Sequence, residues 1–474
     1  MKKILNMILL ISLYIVSGLF LYHTYKLNIL NHFYFGIVSF ISGLLGTLIT
    51  FKLLRKKTSK ISKIVFTMIS IVLISIYIVG IIYIGNTRNY ISNMSNQETK
   101  EYKTYNVLVL KSSNYHKIRE LKNNEIGFLE TDTTHNLSIN TLKEKIDFNS
   151  KVYSDIELLT KSLYISDVKA ISIDESYIDI LEENDSPIIN DTKVIYTYKV
   201  PIDKDNGKND IKNDNININK PFILYISGSD SRTSVRETAR SDVNIIAVVN
   251  PNTKKILLVS IPRDYYVKLH GTTGTKDKLT HAGVYGINMS INTIEDLLSI
   301  NIDKYIKVSF ATVIKSVDIL DGIDIDSDTN FTAWTNKSCS FKVGIQHVDG
   351  NCALAFARER KSYTEGDRHR GENQEQVISK IIEKLSNPKY LLKYNDLLNA
   401  TNDSFETDMS YEEITSLIKE EISSLAKWEI ETYNLSGFDS SGPTYSMGSQ
   451  VLYVMIPDQS TVNTAKIKIE EYLK

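Results

Sequence analysis

Four arginines fall within thirteen residues, Arg358, Arg360, Arg368 and Arg370 in ARERKSYTEGDRHR, in a chain that otherwise favours lysine. A guanidinium is planar, permanently charged and able to grip two phosphate oxygens at once, so such a cluster suits a polyanion. The alternative is a solvated basic face balanced by Glu359, Glu365 and Glu372. Three more Arg/Asp groups lie upstream: Gly228-Ser229-Asp230-Ser231-Arg232, Arg240-Ser241-Asp242 and Pro262-Arg263-Asp264. A diphosphate carries several negative charges. Its cleavage requires stabilisation of both the transferred phosphoryl group and the departing phosphate, which converging arginines would supply. Asp230 and Asp242 could hold a divalent ion, because magnesium takes few carboxylates and completes its shell with substrate phosphates. Asp324, Asp326 and Asp328 have a calcium-like spacing, but Thr329 and Thr335 stand where an EF-hand needs glycine and glutamate.

Strands are expected to present these groups. FILYIS (222–227) is a short apolar run that ends at Gly228, where a sharp turn can start. NIIAVVN and ILLVSI, joined by PNTKK, form a hairpin whose second strand runs into Pro262-Arg263-Asp264. Apolar residues at three- and four-residue spacing predict helices at 287–298 and 310–320. IDID (323–326) reads as a strand, 353–356 as a helix leading to Arg358, and 361–373 as a loop before a helix that opens at Gln374. His369 is placed on that loop's surface, and His281 is given a structural role. Late strands at 428–430 and 451–457 and a helix at 461–473 complete this part.

Before it, 105–111 and 168–174 read as strands, and 150–163 and ESYIDILEE as helices, which suggests a small α/β unit reminiscent of one lobe of a solute-binding protein. The segment 203–220 is rich in Asn, Asp and Lys and reads as a linker. The first 85 residues are different. Stretches 4–22, 33–54 and 64–84 are each long and apolar enough to cross a bilayer core of roughly 30 Å. Lys2 and Lys3 precede the first stretch, and Arg55, Lys56, Lys57, Lys60 and Lys63 fill the second loop, whereas the first loop has only Lys26. That asymmetry puts the N-terminus in the cytoplasm and everything after about 85 outside the cell, as a multi-pass membrane protein. A net charge of -1 gives no case for nucleic acid. Cys339 and Cys352 are too few for a zinc site. Outside the cell they are expected to close one short loop, worth roughly 3 kcal/mol in the chain-entropy model; the alternative is two buried free thiols.

GSDSR (228–232), RSD (240–242), IPRD (261–264), DKLTHAGVYG (277–286), ARER (357–360) and GDRHRGENQ (366–374) occur in an order and spacing that resembles the LytR–CpsA–Psr family of cell-wall glycopolymer ligases, in its CpsA-like branch. The resemblance implies an α-β-α sandwich with a mixed central sheet at 221–474, after an anchor (1–85), an accessory α/β domain (86–202) and a linker (203–220). It implies transfer of an anionic glycopolymer, capsular or teichoic-acid-like, from undecaprenyl pyrophosphate to the C6 hydroxyl of peptidoglycan N-acetylmuramic acid, with a phosphodiester formed. Its expected cofactor is magnesium, with manganese as substitute, held by Asp230 and Asp242. Arg232, Arg263, Lys278, Arg358, Arg360, Arg370 and Gln374 are expected around the pyrophosphate, with Asp264 as base or orienting group. The family pattern commonly ends in Arg-Gln where this chain has Asn373-Gln374, and Arg368 is additional; both are left without an assigned contact. The rival readings are a non-catalytic polysaccharide-binding regulator, which would use the same arginines only to hold a glycan, and a chain-length regulator, which the strands of 220–265 disfavour.

Overall fold

The computed structural model describes residues 2–95, 101–184, 186–202, 216–229, 235, 238–364, 367–385, 405–424 and 428–474. The expected linker therefore lies largely outside the described residues. Three helices come first, α1 (Lys2–Leu27), α2 (His32–Leu54) and α3 (Lys60–Ser95), and each is long and apolar enough to cross a membrane. Most of their apolar side chains face outward, as in helices whose solvent is lipid. Asn31 caps α2 by accepting from the Tyr34 amide at 2.9 Å, so the chain reverses within the short turn after Leu27. α3 runs eleven residues past the end of its apolar stretch at 84.

A five-stranded sheet follows, built from β1 (Glu101–Leu110), β2 (Glu125–Leu129), α4 (His135–Lys143), β3 (Asn149–Tyr153), α5 (Ile156–Tyr164), β4 (Ala170–Asp174), α6 (Glu175–Glu183), α7 (Pro187–Asp191) and β5 (Thr192–Ile202). Its order is β3-β2-β4-β1-β5. The stretch 150–163 is not one helix: β3 pairs in parallel with β2, and the Asp155 side chain then caps α5 by accepting from Leu158 N at 2.8 Å. Buried between sheet and α6 is a charge cluster. The ammonium of Lys103 lies 2.8 Å from Asp132 and 3.2 Å from Asp174. Burial pushes the Asp174 carboxyl up, to about 6, although Lys103 opposes the shift.

The second sheet is mixed. Its part of the chain runs through β6 (Phe222–Ser229), β7 (Ser241–Asn250), β8 (Lys255–Ser260), β9 (Tyr266–Val267), β10 (Asp277–Lys278), α8 (Leu279–Ala282), α9 (Ile287–Leu298), β11 (Lys304–Ser309) and α10 (Phe310–Ile319). It continues through β12 (Ile323–Ser327), β13 (Phe331–Thr332), β14 (Ser340–Phe341), β15 (Gly344–Val348), α11 (Gly350–Arg358), α12 (Asp367–Leu385), β16 (Phe405–Thr407), β17 (Glu429–Asn434), β18 (Gly437–Thr444) and β19 (Gly448–Pro457). Six strands pair in the order β16-β11-β6-β7-β8-β17. β6 is parallel to β11 and antiparallel to β7, and β8 is antiparallel to β7 and parallel to β17. Alternate residues Ile223, Tyr225, Ile246, Val248, Leu257 and Val259 bury one face of this sheet against α9 and the C-terminal helix Gln459–Tyr472. A second core joins α10, α11 and α12 with β12, β14 and β15 through Val317, Ile325, Phe341, Phe356 and Val377. This is the mixed α/β architecture that the sequence predicts. A further core unites the two parts of the chain: Leu159, Ile173, Tyr177 and Ile180 pack with Val284, Met447 and Leu452.

Candidate functional site

The hairpin β7–β8 sets the first pair of groups. Its register puts Ile245 opposite Ser260, and three further steps along each strand bring Asp242 against Arg263. Arg263 Nη1 donates to Asp242 Oδ1 at 2.8 Å, and Thr280 Oγ1 donates to the same oxygen at 3.0 Å. Gly283 lets the segment after α8 lie against this strand, since a Cβ there would stand 2.5 Å from Ala239 O and 2.7 Å from Ser241 N. Burial pushes the Asp242 carboxyl up. Arg263 first, then Arg240 and Arg370, more than reverse this and hold it far below the usual carboxylate range.

Asp264 is fully buried beneath these groups. Lys278 Nζ stands 3.1 Å from its Oδ1, and Arg263 Nε and Arg360 Nη1 stand 3.6 and 3.8 Å from its Oδ2. Burial again opposes ionisation, and Arg263, Lys278, Arg370 and Arg360 overcome it, leaving the carboxyl well below its ordinary value. A carboxylate so stabilised is a poor proton acceptor. It joins three cations from the turn after β8, from β10 and from the turn after α11, and so fixes their spacing.

The other wall comes from α10, α11 and α12. Gly350 lets α11 touch α10, because a Cβ there would run into the backbone of Ile314. Asp349 caps α11 by accepting from Cys352 N at 2.8 Å. The Arg358 guanidinium at the other end lies 5.0 Å from the centre of the Phe310 ring. Glu359, next in the chain, is buried rather than solvated. Its Oε1 accepts from the amides of Arg360, Lys361 and Ser362 at 3.1, 2.8 and 3.1 Å, and its Oε2 from Trp334 N at 2.7 Å. It therefore splints the arginine turn to the β13–β14 loop. A disulfide joins Cys339 of that loop to Cys352 of α11.

Helix α12 begins at Asp367, not at Gln374, so the expected loop is helical from there on. Arg370 and Gln374 consequently share a helix face, one turn apart. His369 is also helical rather than on a surface loop; its side chain stacks on Tyr363 with ring centres 3.6 Å apart. Asn373 donates to Phe356 O at 3.2 Å, which gives it a structural contact. His281 sits among Asp277 and Ser446, at 2.7 and 2.8 Å.

These elements enclose a cavity of about 640 Å³. Arg240, Arg263, Arg358, Arg360 and Arg370 line it on the basic side, with Asp242 and Gln374. Phe310, Ala311, Ile314 and Leu354 form an apolar side. Trp334, Thr335 and Lys361 line it as well, and so do Asp179 and Glu182 of α6, from the other sheet. Arg263 and Arg358, 95 residues apart in the chain, thus face one space. Asp264 and Lys278 do not line it. Asp230 and Arg232 lie outside the described residues, as does the Arg368 side chain. Sequence reasoning missed Arg240, although it adjoins Asp242 in a motif already singled out. It also missed Phe310, Trp334 and the α6 carboxylates, for which local sequence carries no signal.

Asp242 offers an ionised oxygen donor in the cavity wall, the donor type that magnesium takes beside phosphate oxygens. Among the described residues no three His, Cys, Asp or Glu side chains group as a cage, so a metal here would draw on few protein ligands.

The model of the LytR_cpsA_psr family matches residues 190–468, more than half of the chain. The protein named polyisoprenyl-teichoic acid–peptidoglycan teichoic acid transferase TagU of Enterococcus faecalis V583 is 31% identical over 233 residues, 49% of this chain and 76% of that one. The corresponding TagV of Bacillus subtilis 168 is 29% identical over 274 residues, 56% of this chain and 68% of that one. The crystal structure of B. subtilis TagV superposes with a TM-score of 0.45 at 29% identity, covering 54% of this chain and 98% of the other. On the family match and the TagU similarity, this chain belongs to the LytR_cpsA_psr family.

Proposed function

We propose that this protein is a membrane-bound transferase that moves an anionic glycopolymer from a polyprenyl-pyrophosphate carrier to peptidoglycan. Its relatives TagU and TagV, named as polyisoprenyl-teichoic acid–peptidoglycan teichoic acid transferases, support the reaction class. The observation that carries the reading is the pairing of five arginines with an apolar wall in one cavity, which suits a diphosphate joined to a hydrocarbon chain.

In the proposed reaction the C6 hydroxyl of N-acetylmuramic acid attacks the phosphorus that bears the glycan. The new P–O bond is the phosphodiester, the bridging P–O bond of the pyrophosphate breaks, and polyprenyl phosphate departs with the hydroxyl proton. Arg263, Arg358, Arg360 and Arg370, with Arg232, neutralise the charge that builds on the phosphoryl oxygens, and Gln374 donates a hydrogen bond to them. Asp264 and Lys278 act from beneath, by holding Arg263 and Arg360 apart at fixed positions. Phe310, Ala311, Ile314 and Leu354 receive the first isoprene units. Asp242 with Asp230 would hold magnesium, which when bound polarises a phosphoryl oxygen.

The same reading puts the N-terminus in the cytoplasm and the sheets outside. The basic loop between α2 and α3 supports it. So does the turn after α1, where Leu27 O accepts from Tyr411 OH at 3.3 Å and Asn28 Oδ1 from Lys419 Nζ at 3.2 Å. Those contacts put the first loop on the side of the folded part.

The test is transfer by the full chain in detergent, given a short lipid-pyrophosphate glycan, a peptidoglycan oligomer and magnesium. A joined product is expected. Arg263→Ala should cut the rate by about 10²-fold or more, as loss of one oriented donor to a developing oxyanion does. Tight glycan retention with no joined product would favour a binding regulator instead.

A further inference from the structure

We infer that a second, smaller cleft beside the arginine-lined cavity is the slot for the attacking hydroxyl, and that Asn434 with Gly371 makes it selective for an unbranched, primary alcohol. This rests on the transfer reading above for what the hydroxyl attacks.

The cleft has a volume of about 20 Å³ and lies between α12 and the ends of β8 and β17. Ser260, Ile261, Pro262, Gly371, Asn434 and Leu435 line it and do not line the large cavity. Asp242, Arg263, Arg370 and Gln374 line both. These four groups therefore form a partition with a space on either side. Strand order shows which side is which. At this edge of the sheet Phe310 follows β11, Asp242 stands on β7 and Asn434 ends β17, and the strands run in the order β11-β6-β7-β8-β17. The apolar wall that begins at Phe310 is thus two strands to one side of Asp242, and Asn434 is two strands to the other.

Displacement at phosphorus puts the attacking and departing oxygens roughly in line, on opposite faces of the transferred group. With polyprenyl phosphate leaving along the Phe310 side, the nucleophile comes from the Asn434 side. The cleft suits that task in three ways. Its volume is that of one water-sized group, so it takes one oxygen and little else. Asn434 Oδ1 is buried and accepts no hydrogen bond among the described residues. An amide oxygen left so costs about 1–3 kcal/mol, and an incoming O–H supplies the missing donor. Register fixes its place: Asn434 pairs with Ser260 across β17 and β8, and Leu435 N donates to Ser260 O at 3.0 Å. Gly371 then sets the width, because a Cβ there would stand 3.2 Å from Ser260 Oγ and 3.9 Å from Asn434 Oδ1. A CH₂OH arm projects beyond its sugar ring and enters such a slot. A ring-borne secondary hydroxyl brings two carbon neighbours with it and is refused. Asn434 orients the O–H and does not keep its proton, which leaves with polyprenyl phosphate as in the reaction above.

The test compares the full chain in detergent with its Asn434→Ala and Gly371→Ala variants. Donor affinity is read by calorimetry with a short polyprenyl pyrophosphate. Transfer is read with a short lipid-pyrophosphate glycan, magnesium and a peptidoglycan oligomer, and the attachment oxygen is located by tandem mass spectrometry. Both variants should bind the bare lipid within about twofold of wild type, which also shows that they fold. For the peptidoglycan acceptor, kcat/KM should fall about tenfold in Asn434→Ala and at least as far in Gly371→Ala. Asn434→Ala, with its widened slot, should also join a measurable share of the glycan through secondary hydroxyls, a change that a merely structural role would not produce. Wild-type kcat/KM and wild-type attachment in both variants would overturn the inference and leave the transfer reading intact. Losses of lipid affinity as large as the losses of transfer would do the same. Absence of transfer by the wild type would overturn both.

Discussion

At the scale of single residues, the site holds carboxylates that stay charged, and a neighbouring one on α12 is pushed toward its neutral form. Asp242 and Asp264 are buried among arginines and remain anionic, so Arg263 and Arg360 are oriented before any substrate arrives. Replacing Asp264 with Asn should leave Arg263, Arg360 and Lys278 to repel one another. Transfer rates are expected to fall at least about tenfold, read as kcat with little change in KM if positioning is the cause. Glu375 on α12 behaves oppositely. Burial and then Glu372 push its carboxyl up to about 7, from an ordinary 4.5. The folded chain therefore keeps the proton where the unfolded chain has lost it. That stability is fully present below about pH 4.5 and is lost as pH rises through 7. Glu375→Gln should match the wild type at pH 4 and exceed it by roughly 2–3 kcal/mol at pH 8, measured by denaturant unfolding.

At the scale of elements, the hairpin β7–β8 and helix α9 were legible because alternation, turn residues and helical spacing all agreed. The start of α12 was not: Asp367, His369 and Arg370 carry no apolar stripe, and Arg370 lines a charged cavity rather than a core. β3 was hidden for a related reason. It is an edge strand with mostly exposed side chains, so no inward row marks it. The alternative of a solvated face made Glu359 a surface counter-charge; its burial is hidden in sequence because one of its four amide donors comes from a loop 25 residues away. Glu359→Ala should release that loop and the arginine turn together. Cys339→Ser should destabilise the chain by roughly 3 kcal/mol from the lost cross-link alone, and the two effects should be less than additive, as read from urea midpoints of the single and double variants.

At the scale of the whole molecule, the five-stranded unit, reminiscent in sequence of one lobe of a solute-binding protein, shares its core with the second part of the chain. Its own core is continuous with Val284, Met447 and Leu452, and its helix α6 reaches the cavity. The Lys103 cluster supports that helix, since Asp174 also caps α6 by accepting from Ser176 N at 2.9 Å. Lys103→Met would leave two buried carboxylates unpaired. A loss of about 3–5 kcal/mol is expected, measured by chemical denaturation of the full chain. Removing residues 101–202 should expose the shared apolar patch and cause aggregation of the remainder, seen as loss of the monodisperse peak on size exclusion.

The third helix has 36 residues, roughly 54 Å at 1.5 Å per residue, against a hydrocarbon layer of roughly 30 Å. Tyr411 and Lys419 hydrogen-bond to the turn between the first two helices, which ties the folded part to the helices at that turn. Under the transfer proposed above, a reaction centre tied at that height would load from the bilayer below and unload onto glycan strands passing at that level. Older murein, displaced outward as growth proceeds, would be beyond its reach, so decoration would record when each strand was laid down.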